Sequence, residues 1–286
     1  MSYIGRKLRI RRMLFKGVDA GLIIPIDHGL TMGPIKGISS INEISKWITN
    51  ESISAIISHK GTLELLTSNN MLHSNTGAIV HLNGMSNLSN DPDTKQMVTD
   101  VESAVRLGAD AVSIQVNFLN TNFNHNLDTI GRVVDEAHKY GLPVLTMLYD
   151  KVKVVDQKEK VERMQKLTCS AVELGVDALK ISFPDNLSQI EDSISHLRGS
   201  IKIFFAGGDM LDENQLISMT ATAMRSGITG LCAGRNVFQN PDPVAIINRL
   251  GEVIKCKGYG GGSGPIYKYE RDAAAITSEI EPLFDT

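Results

Sequence analysis

The sequence predicts an α/β fold, a single (β/α)8 barrel with a short C-terminal extension. Three observations carry this: four look-alike helix-to-strand junctions, four more apolar strand-like runs, and polar residues gathered where the runs end. The junctions read RLGADAVSIQV, KYGLPVLTMLY, ELGVDALKISF and RSGITGLCAGR. In each, a helical stretch meets a glycine suited to the left-handed residue that ends a helix, and a short β-rich run follows. These glycines, Gly108, Gly141, Gly175 and Gly227, stand 33, 34 and 52 residues apart, and the last interval holds two units with IKIFFAGG as the strand between them. Units of this size are βα repeats.

Taken in order, the N-terminal MSYIGRKLRIRRMLF is basic and lacks the apolar centre of a signal peptide. Strands one to three are LIIPIDHG, SAIISHKG and GAIVHLNG, which with the four junction strands and IKIFFAGG make eight. Eight apolar parallel strands without a break favour a closed barrel over an open sheet. The link between strands two and three is roughly 16 residues, short enough that a degenerate helix is expected there. The barrel is expected to fill residues 1–256. Residues 257–286 open with GYGGGSGP, which reads as a flexible connection to a weakly helical tail. That tail is either a frayed end or an arm packed on a neighbouring subunit or over the site.

Composition narrows the function classes without choosing one. Of 286 residues, 42% are hydrophobic and 21% charged, and a formal net charge of -3 gives no reason to expect nucleic acid or an anionic membrane as partner. No run approaches the length of a membrane span. A cytoplasmic protein is expected. Cys169, Cys232 and Cys256 are widely spaced and odd in number, so buried reduced thiols are expected rather than disulfides or a zinc site.

In such a barrel, chemistry sits at the carboxyl ends of the strands. The ends here are polar: Asp27, His28 and Gly29; Ser58, His59 and Lys60; His81 and Asn83; Gln115 and Asn117; Tyr149, Asp150 and Lys151; Lys180 and Ser182; Gly207 and Gly208; Gly234 and Arg235. Lys180 stands out because it lies within ALKISF, a strand with neither face in water. It is either a structural lysine reaching out at the rim or a nucleophile for a carbonyl substrate, since burial favours the neutral amine. A pKa depressed by roughly three units, beside cations such as Lys60 or Lys151, would leave about half of it neutral at pH 7. Tyr149 and Asp27 are the acid and base candidates for such imine chemistry, although either alone could simply hold a loop. His28, His59 and His81 leave open a zinc-dependent alternative. Strands seven and eight end in AGGDM and AGRNVF, whose glycines expose backbone amides to an anion while Arg235 adds a fixed charge. A phosphorylated substrate is expected.

The segments IPIDHGLTMGPIKGI, SHKG, MLYD, LKIS, FAGG and AGRNVFQ occur in the order seen in the archaeal-type class I, Schiff-base aldolase family. Within it the chain is most similar to the 2-amino-3,7-dideoxy-D-threo-hept-6-ulosonate synthases and the class I fructose-bisphosphate aldolases. The resemblance covers roughly residues 3 to 255. It implies a TIM barrel, a Schiff-base lysine at Lys180, a proton donor at Tyr149 and a proton acceptor at Asp27. It also implies phosphate contacts at Gly207, Gly208, Gly234 and Arg235, a substrate-binding segment His28, Gly29, Leu30 and Thr31, and further contacts from Lys151 and Ser182. No cofactor, no resident metal, and assembly as a homo-oligomer are expected. The expected reaction makes or breaks a carbon–carbon bond in a phosphorylated ketose, with aspartate semialdehyde as acceptor. Fructose-bisphosphate cleavage, or a dihydroxyacetone phosphate/aspartate semialdehyde aldolase, is the alternative; a barrel that binds a sugar phosphate without turnover is a third. The sequence departs from the synthases at Asp150 and Lys151, where they carry proline and arginine, at Ile181, where they carry threonine, and at Gln115, where a histidine is expected.

Overall fold

In the computed structural model, which describes residues 3–185, 189–197, 199 and 201–258, eight parallel strands close into a barrel. They are β1 (Gly21–Pro25), β2 (Ala55–Ser58), β3 (Gly77–His81), β4 (Ala111–Phe118), β5 (Val144–Asp150), β6 (Ala178–Ile181), β7 (Lys202–Ala206) and β8 (Gly230–Cys232). Sequence neighbours pair throughout, and β8 closes on β1 with Gly21 beside Gly230 and Ile23 beside Cys232. The main helices are α1 (Tyr3–Arg12), α2 (Lys60–Ser68), α3 (Val101–Arg106), α4 (Phe123–Lys139), α5 (Gln157–Glu173), α6 (Glu213–Arg225) and α7 (Pro243–Gly258). The tail was expected from residue 257; α7 continues through Gly258, and residues 259–286 lie outside the described residues. None of the described helices is long and apolar enough to cross a membrane.

Strand side chains alternate between two apolar compartments, as the period of two requires. Ile23, Ala55, Ile57, Ile79, Ala111, Leu145, Met147, Ala178, Phe204 and Cys232 fill the barrel interior. Their sequence neighbours, such as Leu22, Ile56, Val80, Val112, Leu179 and Phe205, pack outward against the helices. The four junction glycines all take positive φ, from 65° to 90°, as expected of left-handed helix caps. The link from β2 to β3 holds a regular nine-residue helix, α2, where the sequence suggested a degenerate one. Its buried Leu63 and Leu66 suffice to dock two and a half turns.

The amino end of the barrel is plugged by the chain's own start. Ile10, Met13 and Leu14 enter the interior cluster from below. Three arginines of α1 then fix it to three junctions: Arg6 to Asp177 at 3.0 Å, Arg9 to the carbonyl of Gly141 at 2.9 Å, and Arg12 to Asp110 at 3.0 Å. The two aspartates also join the strands, because Asp110 accepts the N–H of Ala78 and Asp177 that of Val144. The glycine–x–aspartate of two junctions thus ends a helix, satisfies an amide near the start of the preceding strand and anchors the plug.

Candidate active site

Lys180 follows Ala178 by two residues on β6, so it points into the barrel one layer above that alanine. Its register partners are Met147 on β5 and Phe204 on β7. The side chain is 7% exposed. Its ammonium lies 3.8 Å from the Met147 sulfur and next to Tyr149 and Cys232, residues that share its inward parity. The structural alternative of a lysine reaching out to solvent does not describe this side chain.

Burial pulls the Lys180 ammonium toward deprotonation, while Cys232, Tyr149 and Asp27 raise its pKa above the ordinary lysine value, and of these three Asp27 is the one ionised near pH 7. This corrects the expected depression. Neither Lys60 nor Lys151, both exposed, is among the charges that shift Lys180. Burial pushes the Cys232 thiol up to about 11 and the Tyr149 phenol above its usual value. Both are therefore neutral near pH 7, which leaves Asp27 as the anion that balances the lysine.

Asp27 stands just past β1 with its side chain 11% exposed. Burial alone would raise its pKa, but His81, His28, Lys180 and His59 together hold it below the usual carboxylate value. One oxygen is 3.5 Å from His28 Nδ1 and the other 3.6 Å from His81 Nε2. His81 is held from behind by Ser113 Oγ, 2.8 Å from Nδ1, and burial lowers its pKa to about 4. His59 packs 5.2 Å from it, ring centre to ring centre. Among the described residues no group of three His, Cys, Asp or Glu side chains converges as a metal centre would require. Around Asp27 the histidines surround a carboxylate, and His28 Nδ1 has no hydrogen-bond partner.

Across the mouth, β7 and β8 end in the expected glycine loops. Asn236, 4% exposed, ties them together by donating to the carbonyls of Gly207 and Asp209, each at 2.8 Å, while its oxygen accepts from the amide of Leu211. Gly208 has φ +69 and open space where a Cβ would stand. At Gly234 a Cβ would lie 2.8 Å from His28 Cε1, so this glycine also seats the imidazole beside Asp27. Arg235 lines the loops, donating to the carbonyl of Gly208 at 3.3 Å and lying 3.5 Å from Asp209.

The remaining expected residues lie farther out. Gly29 and Leu30 are exposed and Thr31 half-buried on a short helix, His28–Met32. Ser182 is exposed beyond β6, and Lys151 sits with its ammonium 5.7 Å from the Tyr149 ring centre. Asp150 is turned away from the interior, where Arg163 of α5 grips both its oxygens at 2.6 and 3.0 Å. Cys169 and Cys256 are exposed, against the expectation of burial, and only Cys232 is buried. Sequence reasoning passed over Cys232 as a neighbour of the lysine and Lys95 as a rim cation. The first was signalled by its place two residues before Gly234. The second sits in a loop, without a strand period to place it.

Fold and site together define a barrel enzyme whose polar groups face the carboxyl ends of its strands. Residues 21–240 match the family model described as DeoC/LacD family aldolase, and the chain belongs to that family. It is 30% identical, over 88% of this chain and 91% of the other, to the 2-amino-3,7-dideoxy-D-threo-hept-6-ulosonate synthase 1 of Archaeoglobus fulgidus. It is 28% identical, over 90% and 93%, to the 2-amino-4,5-dihydroxy-6-oxo-7-(phosphonooxy)heptanoate synthase of Streptomyces griseus. A solved Schiff-base-forming fructose-1,6-bisphosphate aldolase superposes with a TM-score of 0.74 at 22% identity, covering 87% of this chain and 99% of that one.

Proposed function

We propose that the chain is a Schiff-base aldolase that adds a phosphorylated three-carbon ketose unit to a short amino-acid aldehyde, with Lys180 as nucleophile. The observation that carries this is an inward lysine, 7% exposed, set beside a neutral phenol and balanced by the Asp27 carboxylate. In the resting state the lysine is an ammonium and Asp27 its counterion. Lys180 loses its proton to water as the ketone enters, and the free amine attacks the carbonyl carbon, with Asp27 still ionised and able to accept a proton from the intermediate. Tyr149 donates a proton to the departing hydroxyl, water leaves, and an iminium remains. Loss of a proton from the adjacent carbon gives an enamine, which attacks the aldehyde carbon while its oxygen takes up a proton. Water then releases the product and restores the amine. The Gly207–Gly208 and Gly234–Arg235 loops are the anchor for the donor's phosphate, and His28 to Thr31 and Ser182 line its approach.

The choice of acceptor rests on the relatives' products, both of which are 2-amino acids of seven carbons. Cutting the Streptomyces griseus product between the two hydroxyl carbons gives dihydroxyacetone phosphate and aspartate semialdehyde. Incubation with dihydroxyacetone phosphate and borohydride should add the mass of the substrate less one oxygen to the peptide carrying Lys180. Lys180→Met should form no adduct and retain a cooperative unfolding transition. An adduct on Lys60 or Lys151, or activity surviving in Lys180→Met, would overturn the assignment. We also infer a homo-oligomer, because α1 exposes Tyr3, Ile4 and Leu8 at 58%, 73% and 53%. A monomeric mass by light scattering would contradict it.

A further inference from the structure

The mouth of the barrel carries a second set of charges, on the side of β3 to β5 that faces the glycine loops of β7 and β8 across the ring. The segment after β3 folds back on itself, with Asn83 and Gly84 pairing antiparallel to Met97 and Gln96. This brings Lys95 to the rim with only 6% exposure. Its ammonium donates to the carbonyl of Pro92 at 2.7 Å and forms no ion pair with a carboxylate among the described residues. An ammonium withdrawn from water with one neutral acceptor is costly, and burial accordingly lowers its pKa. Lys151, at the end of β5, likewise has no carboxylate partner within ion-pair distance among the described residues, and it lies against the Tyr149 ring. Of the carboxylates that act on Lys95, which are Asp93, Asp27 and Asp91, Asp93 acts most strongly. Asp93 is half-buried and takes a 2.6 Å hydrogen bond from Asn117, the register partner of Tyr149. Asn117 is fixed in turn by Gln115 at 2.9 Å. Two cations and one held carboxylate match the head group of an α-amino acid, which carries both signs on one carbon.

We propose that Lys95 and Lys151 bind the carboxylate, and Asp93 the ammonium, of the amino-acid aldehyde that serves as acceptor. The inference rests on the aldolase reading above and names the part of the site that selects the acceptor. A donor phosphate held at β7 and β8 and an acceptor head group held at β3 to β5 place the two reacting carbons between them, above Lys180. Gln115, at the position where the resembling synthases are expected to carry histidine, supports Asn117 and through it Asp93.

The test uses the full-length protein, dihydroxyacetone phosphate as donor, and three acceptors of four carbons: aspartate 4-semialdehyde, 4-oxobutanoate and butanal. Lys95→Met should cut the preference in kcat/KM for aspartate 4-semialdehyde over butanal by tenfold or more, chiefly through KM. Lys95→Arg should restore part of it. Asp93→Asn should erode the preference for aspartate 4-semialdehyde over 4-oxobutanoate, which lacks only the amine. Borohydride trapping of the donor on Lys180 in each variant shows that barrel and nucleophile are intact. An unchanged preference in Lys95→Met with the adduct present would overturn the acceptor subsite and leave the Schiff-base reading standing. No adduct in the wild-type protein would overturn both.

Discussion

At the scale of single residues, the site works by keeping charge scarce. Tyr149→Phe removes the proton donor and leaves the nucleophile, so turnover should fall about 100-fold or more while borohydride still traps the donor on Lys180. Rapid-quench and mass measurements on the same sample separate the two effects. His81 provides a second check. It is neutral when folded, with a pKa of about 4 against an ordinary value near 6.5, so between these pH values the unfolded chain takes up a proton that the folded chain refuses. Its contribution is present in full above pH 6.5 and is lost as pH falls toward 4, by an amount on the order of 3 kcal/mol. Urea midpoints across that window should drop steeply in the wild type and less so in His81→Gln. The inward direction of Lys180 was legible in the sequence, because alternation along ALKISF fixes it. Its charge was not, because the balance depends on Asp27, Tyr149 and Cys232, which come from three other strands far away in sequence.

At the scale of elements, the glycine loops are organised by one amide side chain. Asn236→Ala would leave two carbonyls and one amide without their partner in a buried setting, a loss of roughly 1–3 kcal/mol. The melting temperature should fall, and affinity for dihydroxyacetone phosphate should fall with it because Gly208 and Arg235 lose their fixed spacing. Arg235→Ala, by contrast, should leave the melting temperature nearly unchanged and weaken the phosphorylated donor by roughly 1.5–3 kcal/mol, read by calorimetry against unphosphorylated dihydroxyacetone. Strands, helix caps and the strand-end census were all legible here, since each follows from a local period or a single glycine. Asn236 was hidden inside AGRNVF, because its role depends on carbonyls 27 and 29 residues upstream. Asp150 misled for the same reason: only the fold shows that Arg163 draws it outward.

At the scale of the whole molecule, α1 is a plug held by arginines that reach three separate repeats. Arg6→Ala would strip Asp177 of its guanidinium partner, and the urea midpoint should fall by more than for Arg12→Ala, whose arginine is far more exposed. No shift in either variant would show that the plug is held by Ile10, Met13 and Leu14 alone. The reach of α1 also sets an order in time. Arg6 and Asp177 are separated by 171 residues, so at ribosomal rates roughly 10–30 seconds pass between the synthesis of one and of the other. Helix α1 must therefore wait for partners that do not yet exist, and any nascent chain stopped before β6 carries its stopper without the bottle.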